Sequence, residues 1–172
     1  IELINKNEHP KVLLHSCCGP CSSACIELMK QGLDIDIYYC NPNIDTAIEF
    51  EKRAKEQQRI AGILTPNTKV IIDEYDQTLF NEAIKGKEML GEKSIRCYEC
   101  YLLRMERTCK YAKEHGYDYF TTTLSISPHK NSNWINEIGF MLQEKYQMPF
   151  IYSNFKISNS YIKILLLDLS LF

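Results

Sequence analysis

Short apolar runs and amphipathic stretches alternate from one end of the chain to the other. The apolar runs are either continuous or alternate with polar residues, and both patterns are typical of strands in a buried or half-buried sheet. They predict strands at residues 11–16, 34–40, 70–72, 117–124 and 150–152. Apolar residues at helical spacing predict helices at residues 22–31, 46–61, 78–85, 98–115 and 134–146. Each predicted strand except the last is therefore followed by a helix.

This alternation predicts an α/β fold. A helix between two strands returns the chain across one face of the sheet, so the strands that it joins run in parallel. We therefore expect a mostly parallel sheet flanked by helices on both faces. The polar segment at residues 86–97 is interpreted as a cysteine-bearing insertion, and residues 1–172 are expected to form a single α/β domain.

Eight cysteines are the compositional feature that changes this picture. The first twenty residues lack the pattern of a secretory signal, and no apolar run approaches the length of a membrane span. A cytoplasmic protein without a membrane contact is therefore expected. Since the cytosol keeps most thiols reduced, clustered cysteines there indicate a metal-binding or catalytic site more than a set of disulfides.

The first cluster is Cys17-Cys18-Gly19-Pro20-Cys21, directly after the first predicted strand. In an open α/β sheet, ligands collect beyond the carboxyl ends of the strands, where loops lead into helix N-termini. The positive end of a helix dipole favours thiolate over thiol. Adjacent sulfurs meet at one site only if the strand ends at Cys17, because successive side chains of a strand face opposite sides.

The second cluster is Cys97-x-x-Cys100, which the helical spacing places just before a helix. Four thiolates suit Zn²⁺ or a [4Fe–4S] cluster, so ligand type alone leaves both open. Cys21 is a candidate cluster ligand, a ligand to a second metal or a redox thiol. Cys25 and Cys109 fall on apolar helical stripes and are expected to pack in the core. The role of Cys40 is left undecided.

Charge is distributed unevenly along the chain. Residues 85–113 contain eight Lys or Arg and four Glu, a balance of +4 that leaves −6 for the rest of a chain with a net charge of −2. A basic segment beside a ligand pair suits an anionic partner such as RNA. A solvated helix face explains the same charges.

Four motifs occur in order between about residues 11 and 155. They are Leu13-Leu14-His15-Ser16-Cys17-Cys18-Gly19-Pro20-Cys21-Ser22, Asn41-Pro42-Asn43-Ile44, Arg96-Cys97-x-x-Cys100 and Phe120-Thr121-Thr122-Thr123-Leu124-Ser125-Ile126-Ser127-Pro128-His129-Lys130. Through these motifs, which are jointly far more specific than a lone Cys-x-x-Cys, the chain resembles the QueH-type epoxyqueuosine reductases. The resemblance implies a Rossmann-like sheet of the HUP type, the class of nucleotide-binding α-hydrolase folds.

The resemblance also implies a reaction and its cofactors. The family reduces epoxyqueuosine at the wobble position of tRNA to queuosine, the last step of queuosine biosynthesis. A [4Fe–4S] cluster is expected on Cys17, Cys18, Cys97 and Cys100, with a second mononuclear iron nearby. Some relatives carry aspartate where this chain has Cys21, which makes Cys21 a candidate ligand of that second metal. The expected partners are tRNA carrying epoxyqueuosine and an unidentified low-potential electron donor.

Removal of an epoxide oxygen requires two electrons and two protons, so a proton donor is needed. The candidate catalytic residues are Asp76, Tyr98 and His129. The alternative for Asp76 is an N-cap of the helix that follows it. The candidate substrate-binding residues are Asn41, Asn43, Arg96, Ser127 and Lys130.

Residues 157–172 depart from the family, because relatives carry a closing cysteine-bearing segment there and this chain has no cysteine. We interpret this atypical tail as a frameshift or premature end and expect an incomplete metal site. Two other functions fit the residues: a zinc-stabilised RNA-binding α/β module, and a thiol redox protein that uses Cys18 and Cys21 as a pair.

Overall fold

The structure is a computed structural model that describes residues 9–152. Its strands are β1 (Lys11–Ser16), β2 (Asp34–Tyr39), β3 (Val70–Ile72) and β4 (Tyr119–Thr122). Its helices are α1 (Gly19–Met29), α2 (Ala47–Leu64), α3 (Gln77–Ala83), α4 (Ile95–Glu114) and α5 (Ser132–Tyr146), with a 3₁₀ turn at Leu124–Ile126. The predicted tail at residues 157–172 lies outside the described residues.

The four strands form one parallel sheet in the order β3-β2-β1-β4. The predicted α/β class and the mostly parallel sheet are therefore confirmed. The predicted strand at 150–152 is reduced to a single parallel bridge between Phe150 and Phe120, beside β4. Phe120 donates its N–H to the carbonyl of Pro149 and accepts from the N–H of Ile151.

Alternation along β1 divides the core between the two faces of the sheet. Val12 and Leu14 pack with Cys25 and Ile26 of α1 on one face. Leu13 lies on the other face, in a cluster formed largely by α4 and α5. Because successive side chains of a strand point to opposite sides, this central strand is buried by helices on both faces, as predicted.

The two helices that begin three residues earlier than their apolar spacing predicts are α1 and α4, and both differences concern the cysteines. α1 begins at Gly19 and contains Cys21, since Pro20 is tolerated in a first helical turn, where no intrahelical N–H bond is lost. α4 begins at Ile95, so the Cys-x-x-Cys pair lies within its first two turns and does not precede the helix. The polar residues there are compatible with helix, which the apolar periodicity does not register.

Gly139 of α5 lies directly against the ring of Phe150, and a Cβ added there would overlap three ring atoms. That ring also packs on Phe120 and Phe140, so it has little freedom to move. Gly139→Ala is expected to destabilise the protein by about 1–3 kcal/mol through overpacking. Gly62→Ala is the matched control, since a Cβ on this α2 glycine meets nothing within 4 Å.

The control is expected to stabilise by about 0.5–1 kcal/mol, because alanine has the higher helix propensity. Urea unfolding of both variants measures the two effects. Equal stability of the two variants would contradict the packing of Phe150 against α5.

Candidate metal centre

The first cysteine cluster lies where β1 ends and α1 begins. Cys18 is the N-cap residue of α1 in an extended conformation, and its carbonyl accepts a hydrogen bond from the N–H of Ser22 at 3.1 Å. This change from strand to helix brings the sulfurs of Cys17, Cys18 and Cys21 within 4.8 Å of one another. The structure therefore forms a compact three-thiol group at the carboxyl edge of the sheet.

One thiol of the group is strongly favoured as thiolate. Hydrogen bonds from Cys18 and Cys21, then the charge of Arg104 and the hydroxyl of Thr123, hold the pKa of Cys17 well below its usual range. The pKa values of Cys18 and Cys21 are raised, first because each thiol hydrogen-bonds to Cys17, and further by burial and by the charge of Cys17. Within the group, Cys17 is therefore the thiol that its surroundings most favour as thiolate.

Cys97 and Cys100 lie on the first turns of α4 and are not members of the compact group. Cys97 packs against the same core cluster as Cys17, which places the two elements side by side. The sulfur of Cys100 is 4.0 Å from Nη1 of Arg104, the same guanidinium that acts on Cys17. The fold therefore brings both cysteine pairs to one region around Arg104, and their joint ligation of a metal stays a prediction.

The spacing of the sulfurs is compared with that of two kinds of metal site. Tetrahedral zinc with Zn–S bonds of about 2.3 Å separates its sulfurs by about 3.8 Å. The sulfurs of Cys17 and Cys18 are 3.8 Å apart, so the compact group has the spacing of a single-ion site. A four-iron cluster needs four thiolates around a larger body, and only the cysteines of α4 supply the remaining ones. The donor set, four or five free thiols without a disulfide among them, fits either group.

A buried polar network that sequence reasoning missed supports the cysteine turn from α2. Oε1 of Gln57 lies 2.5 Å from the hydroxyl of Ser16 and 2.8 Å from the hydroxyl of Ser22. Ser22 also donates to the carbonyl of Gly19 at 2.9 Å. Gln57 is fully buried, on the face of α2 that packs against α1, and its polarity within an otherwise apolar stripe was the available sequence signal.

Gln57→Leu is expected to destabilise the protein by about 1–3 kcal/mol, because the buried Ser16 hydroxyl loses its short contact and the Ser22 hydroxyl keeps only the Gly19 carbonyl. The neighbouring Gln58 is exposed, so Gln58→Leu serves as a matched control with little effect. Chemical denaturation of the metal-free variants gives the comparison. The same small change in both would show that the network does not stabilise the turn.

His15 and Thr123 complete the surroundings of Cys17. His15 lies on β1, with Nε2 at 3.0 Å from the Cys40 carbonyl and Nδ1 at 2.9 Å from the Thr122 hydroxyl. A carbonyl can only accept, so Nε2 carries the proton. Burial, with a further contribution from Arg104, lowers the pKa of His15 to about 3, and the ring is neutral. Thr123 donates its hydroxyl to the Cys17 sulfur at 3.5 Å and accepts from the Cys17 N–H at 3.3 Å.

The predicted catalytic residues have different placements. Asp76 is the N-cap of α3 and accepts from the N–H of Thr78 at 2.9 Å, which confirms the capping alternative. Those hydrogen bonds lower the pKa of Asp76, so it is a poor proton donor. The Tyr98 hydroxyl donates to Glu137 at 3.4 Å, and burial followed by that carboxylate raises its pKa. His129 is exposed, and its catalytic role stays a prediction.

Two of the predicted substrate-binding residues follow β2. Asn41 is buried, donates to the carbonyl of Ser16 at 2.9 Å and accepts from Nη2 of Arg104. This placement makes Asn41 a link inside the protein, and its predicted substrate contact stays a prediction. Asn43 borders a cavity of about 350 Å³, and its buried Oδ1 has no hydrogen-bond partner among residues 9–152.

The other three predicted substrate contacts lie on α4 and after β4. Nη1 of Arg96 donates to the Glu88 carbonyl at 3.4 Å. Ser127 and Lys130 belong to a turn in which the Lys130 N–H donates to the Ser127 carbonyl at 3.2 Å. Lys130 contributes to the lowered pKa of His15, so its charge acts on the centre of the site. The contacts of these residues with a substrate stay predictions.

The remaining cysteines are buried in the core. Cys25 and Cys109 pack in the two main apolar clusters, as predicted, and burial raises the pKa of Cys109 to about 11. Cys40, left undecided by its sequence position, is also in the core, and burial raises its pKa. All three are therefore structural.

Part of the positive charge of residues 85–113 is paired or buried inside the protein. Arg107 pairs with Asp73 at 2.7 Å, Lys87 pairs with Glu99 at 2.5 Å, and Arg104 is buried. These contacts reduce the charge that α4 presents to a polyanion. Within residues 9–152, no helix has the combined length and apolarity that a membrane crossing requires.

Comparisons with known proteins identify relatives of the chain. The sequence profile of the family described as "Epoxyqueuosine reductase QueH" matches residues 12–166. A protein of that name from Staphylococcus epidermidis is 40% identical over 160 residues, covering 90% of this chain and 67% of the relative. One from Streptococcus pyogenes is 36% identical over 156 residues, covering 88% of this chain and 61% of the relative. The chain thus spans about two thirds of the length of these relatives.

A solved structure shares the fold at low sequence identity. It is a predicted subunit of a tRNA methyltransferase from Methanocaldococcus jannaschii, with a TM-score of 0.55 and 12% identity. The match covers 92% of this chain and 74% of that one. At this identity the likeness concerns the arrangement of strands and helices.

Proposed function

Because the chain belongs to the QueH family of epoxyqueuosine reductases, we propose that it reduces epoxyqueuosine in tRNA to queuosine. The observation that carries the proposal is the grouping of Cys17, Cys18 and Cys21 at the carboxyl edge of the sheet. That edge is where open α/β sheets bind their ligands. The tRNA substrate and a low-potential electron donor are the partners that this activity requires.

A [4Fe–4S] cluster would be held by Cys17, Cys18, Cys97 and Cys100, with Cys21 available to a second iron. When bound, such a cluster supplies electrons at low potential. The surrounding residues of the chain stabilise thiolate ligands. The Thr123 hydroxyl donates a hydrogen bond to the Cys17 sulfur, and the N-terminal end of α1 faces the same thiols. The surrounding core clusters limit the access of water to this side of the site.

Tyr98 is the proposed proton donor. Its pKa is raised, so it holds its proton at neutral pH and can donate it to a departing oxide. It also lies on the same helical turn as Cys97 and packs edge-on against Trp134, with ring centroids 5.7 Å apart. Asp76 is assigned to the cap of α3 for the reasons given above.

The cavity beside Asn43 is the proposed position of the modified base. Its lining includes Arg53, whose pKa is raised mainly by Glu49, with a smaller contribution from the charge of Cys18. The unpartnered Oδ1 of Asn43 offers an acceptor to a base N–H, and anticodon bases are accessible to such readout when they are unstacked.

A zinc-stabilised RNA-binding module is the second candidate function. The observation that favours it is the 3.8 Å separation of the Cys17 and Cys18 sulfurs, which is the spacing of a single tetrahedral ion. Such a protein would bind tRNA without reducing it. A redox pair of Cys18 and Cys21 also agrees with their proximity and free thiols.

Anaerobic reconstitution of the purified chain with iron and sulfide, or with zinc alone, separates these functions. We expect a brown protein with the absorption and paramagnetic resonance of a reduced cluster, and conversion of epoxyqueuosine tRNA by the iron form only. Zinc has no redox chemistry, so the zinc form is the matched control. Tight zinc binding with no iron uptake under reducing conditions would defeat the reductase assignment.

A further inference from the structure

Arg104 is a buried cation with no acidic partner in the described part of the chain. Only 3% of the residue is exposed, and the ion pairs within residues 9–152 do not include it. Burial of an unpaired charge is costly, and proteins normally compensate it with a counter-charge or with several hydrogen bonds. Guanidinium remains charged at any physiological pH, so Arg104 cannot relieve the cost by losing its proton.

The guanidinium has three acceptors, two in the residues that follow β2 and one on α4. Nε donates to the Cys40 carbonyl at 3.4 Å, at the end of β2. Nη2 donates to Oδ1 of Asn41, whose amide in turn donates to the Ser16 carbonyl at 2.9 Å, next to Cys17. Nη1 points to the Cys100 sulfur at 4.0 Å, one turn earlier on α4.

Arg104 therefore lies between the two cysteine pairs. A hydrogen-bond path runs from α4 through Asn41 to the residue that precedes Cys17, while the same guanidinium contacts Cys100 directly. Two neutral acceptors hold it in this position. Among its contacts, the Cys100 sulfur is the one that can carry a negative charge, and the charge of Arg104 also acts on Cys17.

We infer that Arg104 is a positioning residue that sets the reduction potential of the metal centre by placing a permanent buried charge between its two halves. The inference rests on the proposed function, since it requires that the chain bind a redox-active cluster. A fixed positive charge stabilises the reduced, more negative form of a thiolate-ligated centre and so raises its reduction potential. In a dry site this effect is larger than at an exposed position.

The test measures the reduction potential of the reconstituted protein with dye mediators. Arg104→Gln removes the charge and keeps hydrogen-bonding groups. We expect the equilibrium constant for one-electron reduction to fall at least tenfold, which lowers the reduction potential by about 59 mV or more. Arg104→Lys keeps the charge and is expected to retain iron and most of the wild-type potential. Arg107→Gln is the matched control, because it removes a charge from the same helix where Asp73 already pairs it.

Asn41→Asp gives an independent measurement without removal of the arginine. It substitutes a carboxylate for the amide that accepts from Nη2, so it neutralises Arg104 in place and is expected to lower the potential as Arg104→Gln does. If Arg104→Gln fails to take up iron, the reduction potential of Asn41→Asp tests the inference in its place. An unchanged potential in Asn41→Asp, a shift as large in Arg107→Gln, or loss of iron from a folded Arg104→Lys protein would overturn the inference. Failure of the wild-type chain to form any cluster would instead defeat the proposed function.

Discussion

Cys97→Ala is expected to abolish both cluster uptake and the reduction of epoxyqueuosine tRNA. Substitution of residues that only support a ligand typically costs about 10–100-fold in metal affinity or activity, and loss of a ligand should exceed that. Cys97 lies on α4, outside the compact thiol group, so its loss leaves Cys17, Cys18 and Cys21 in place. The variant therefore separates a four-thiolate cluster from a site that the compact group forms alone.

Cys109→Ala is the matched control, because Cys109 lies on the same helix but is buried in the apolar core. It should retain the cluster with a small loss of stability. Iron and sulfide content and the absorption spectrum of both proteins give the result. Full iron content in Cys97→Ala would place the metal on the compact group. Unaltered thiol exchange by Cys18 and Cys21 in the same variant would support the redox alternative.

Tyr98→Phe is expected to reduce the rate of epoxyqueuosine reduction by about 10²–10⁴-fold, the usual contribution of a positioned proton donor. The substitution removes the hydroxyl and keeps the ring on Trp134. Cluster content and reduction potential should stay as in the wild type, so the loss lies in the chemical step. Since the pKa of Tyr98 is raised, the protonated form persists through neutral pH, and the rate should fall only on the alkaline side.

Asp76→Asn provides the comparison for the other candidate acid. Asparagine is about as good an N-cap as aspartate, so the stability should change little. The rate under folding conditions should be unchanged. Single-turnover assays on tRNA, with denaturation curves for both variants, distinguish the two residues. A rate defect in Asp76→Asn with a normal rate in Tyr98→Phe would reverse the assignment.

Much of the fold could be predicted because its signals are local. The apolar run of β1 and the short run of β3 have the predicted bounds, since three consecutive apolar residues between polar breaks indicate a strand directly. The start of α4 was predicted too late, because residues 95–97 carry no apolar periodicity. The strand at 150–152 was predicted too strongly, since its pairing depends on a long-range neighbour.

In the candidate site, too, features with local sequence signals could be predicted and features that depend on distant contacts could not. The cysteine turn, its place after a strand and its neighbourhood to Cys97 and Cys100 could be expected from motif and topology. Gln57 and Thr123 could not, because each acts through one contact with a residue far away in the chain. The role of Asp76 was ambiguous in the sequence, since a carboxylate before a helix suits both an N-cap and a catalytic acid. Its hydrogen bond from Thr78 in the structure identifies it as the N-cap.

By itself, then, the sequence determined the α/β order, the family and the cysteines at the carboxyl edge, because these depend on periodicity and short motifs. Only the tertiary structure decided that Cys17, Cys18 and Cys21 form one compact group while Cys97 and Cys100 lie beside it. It also decided that Arg104 is buried between them. The physical reason is that a side chain's charge acts through distance and burial, and both depend on which helices pack against which strands.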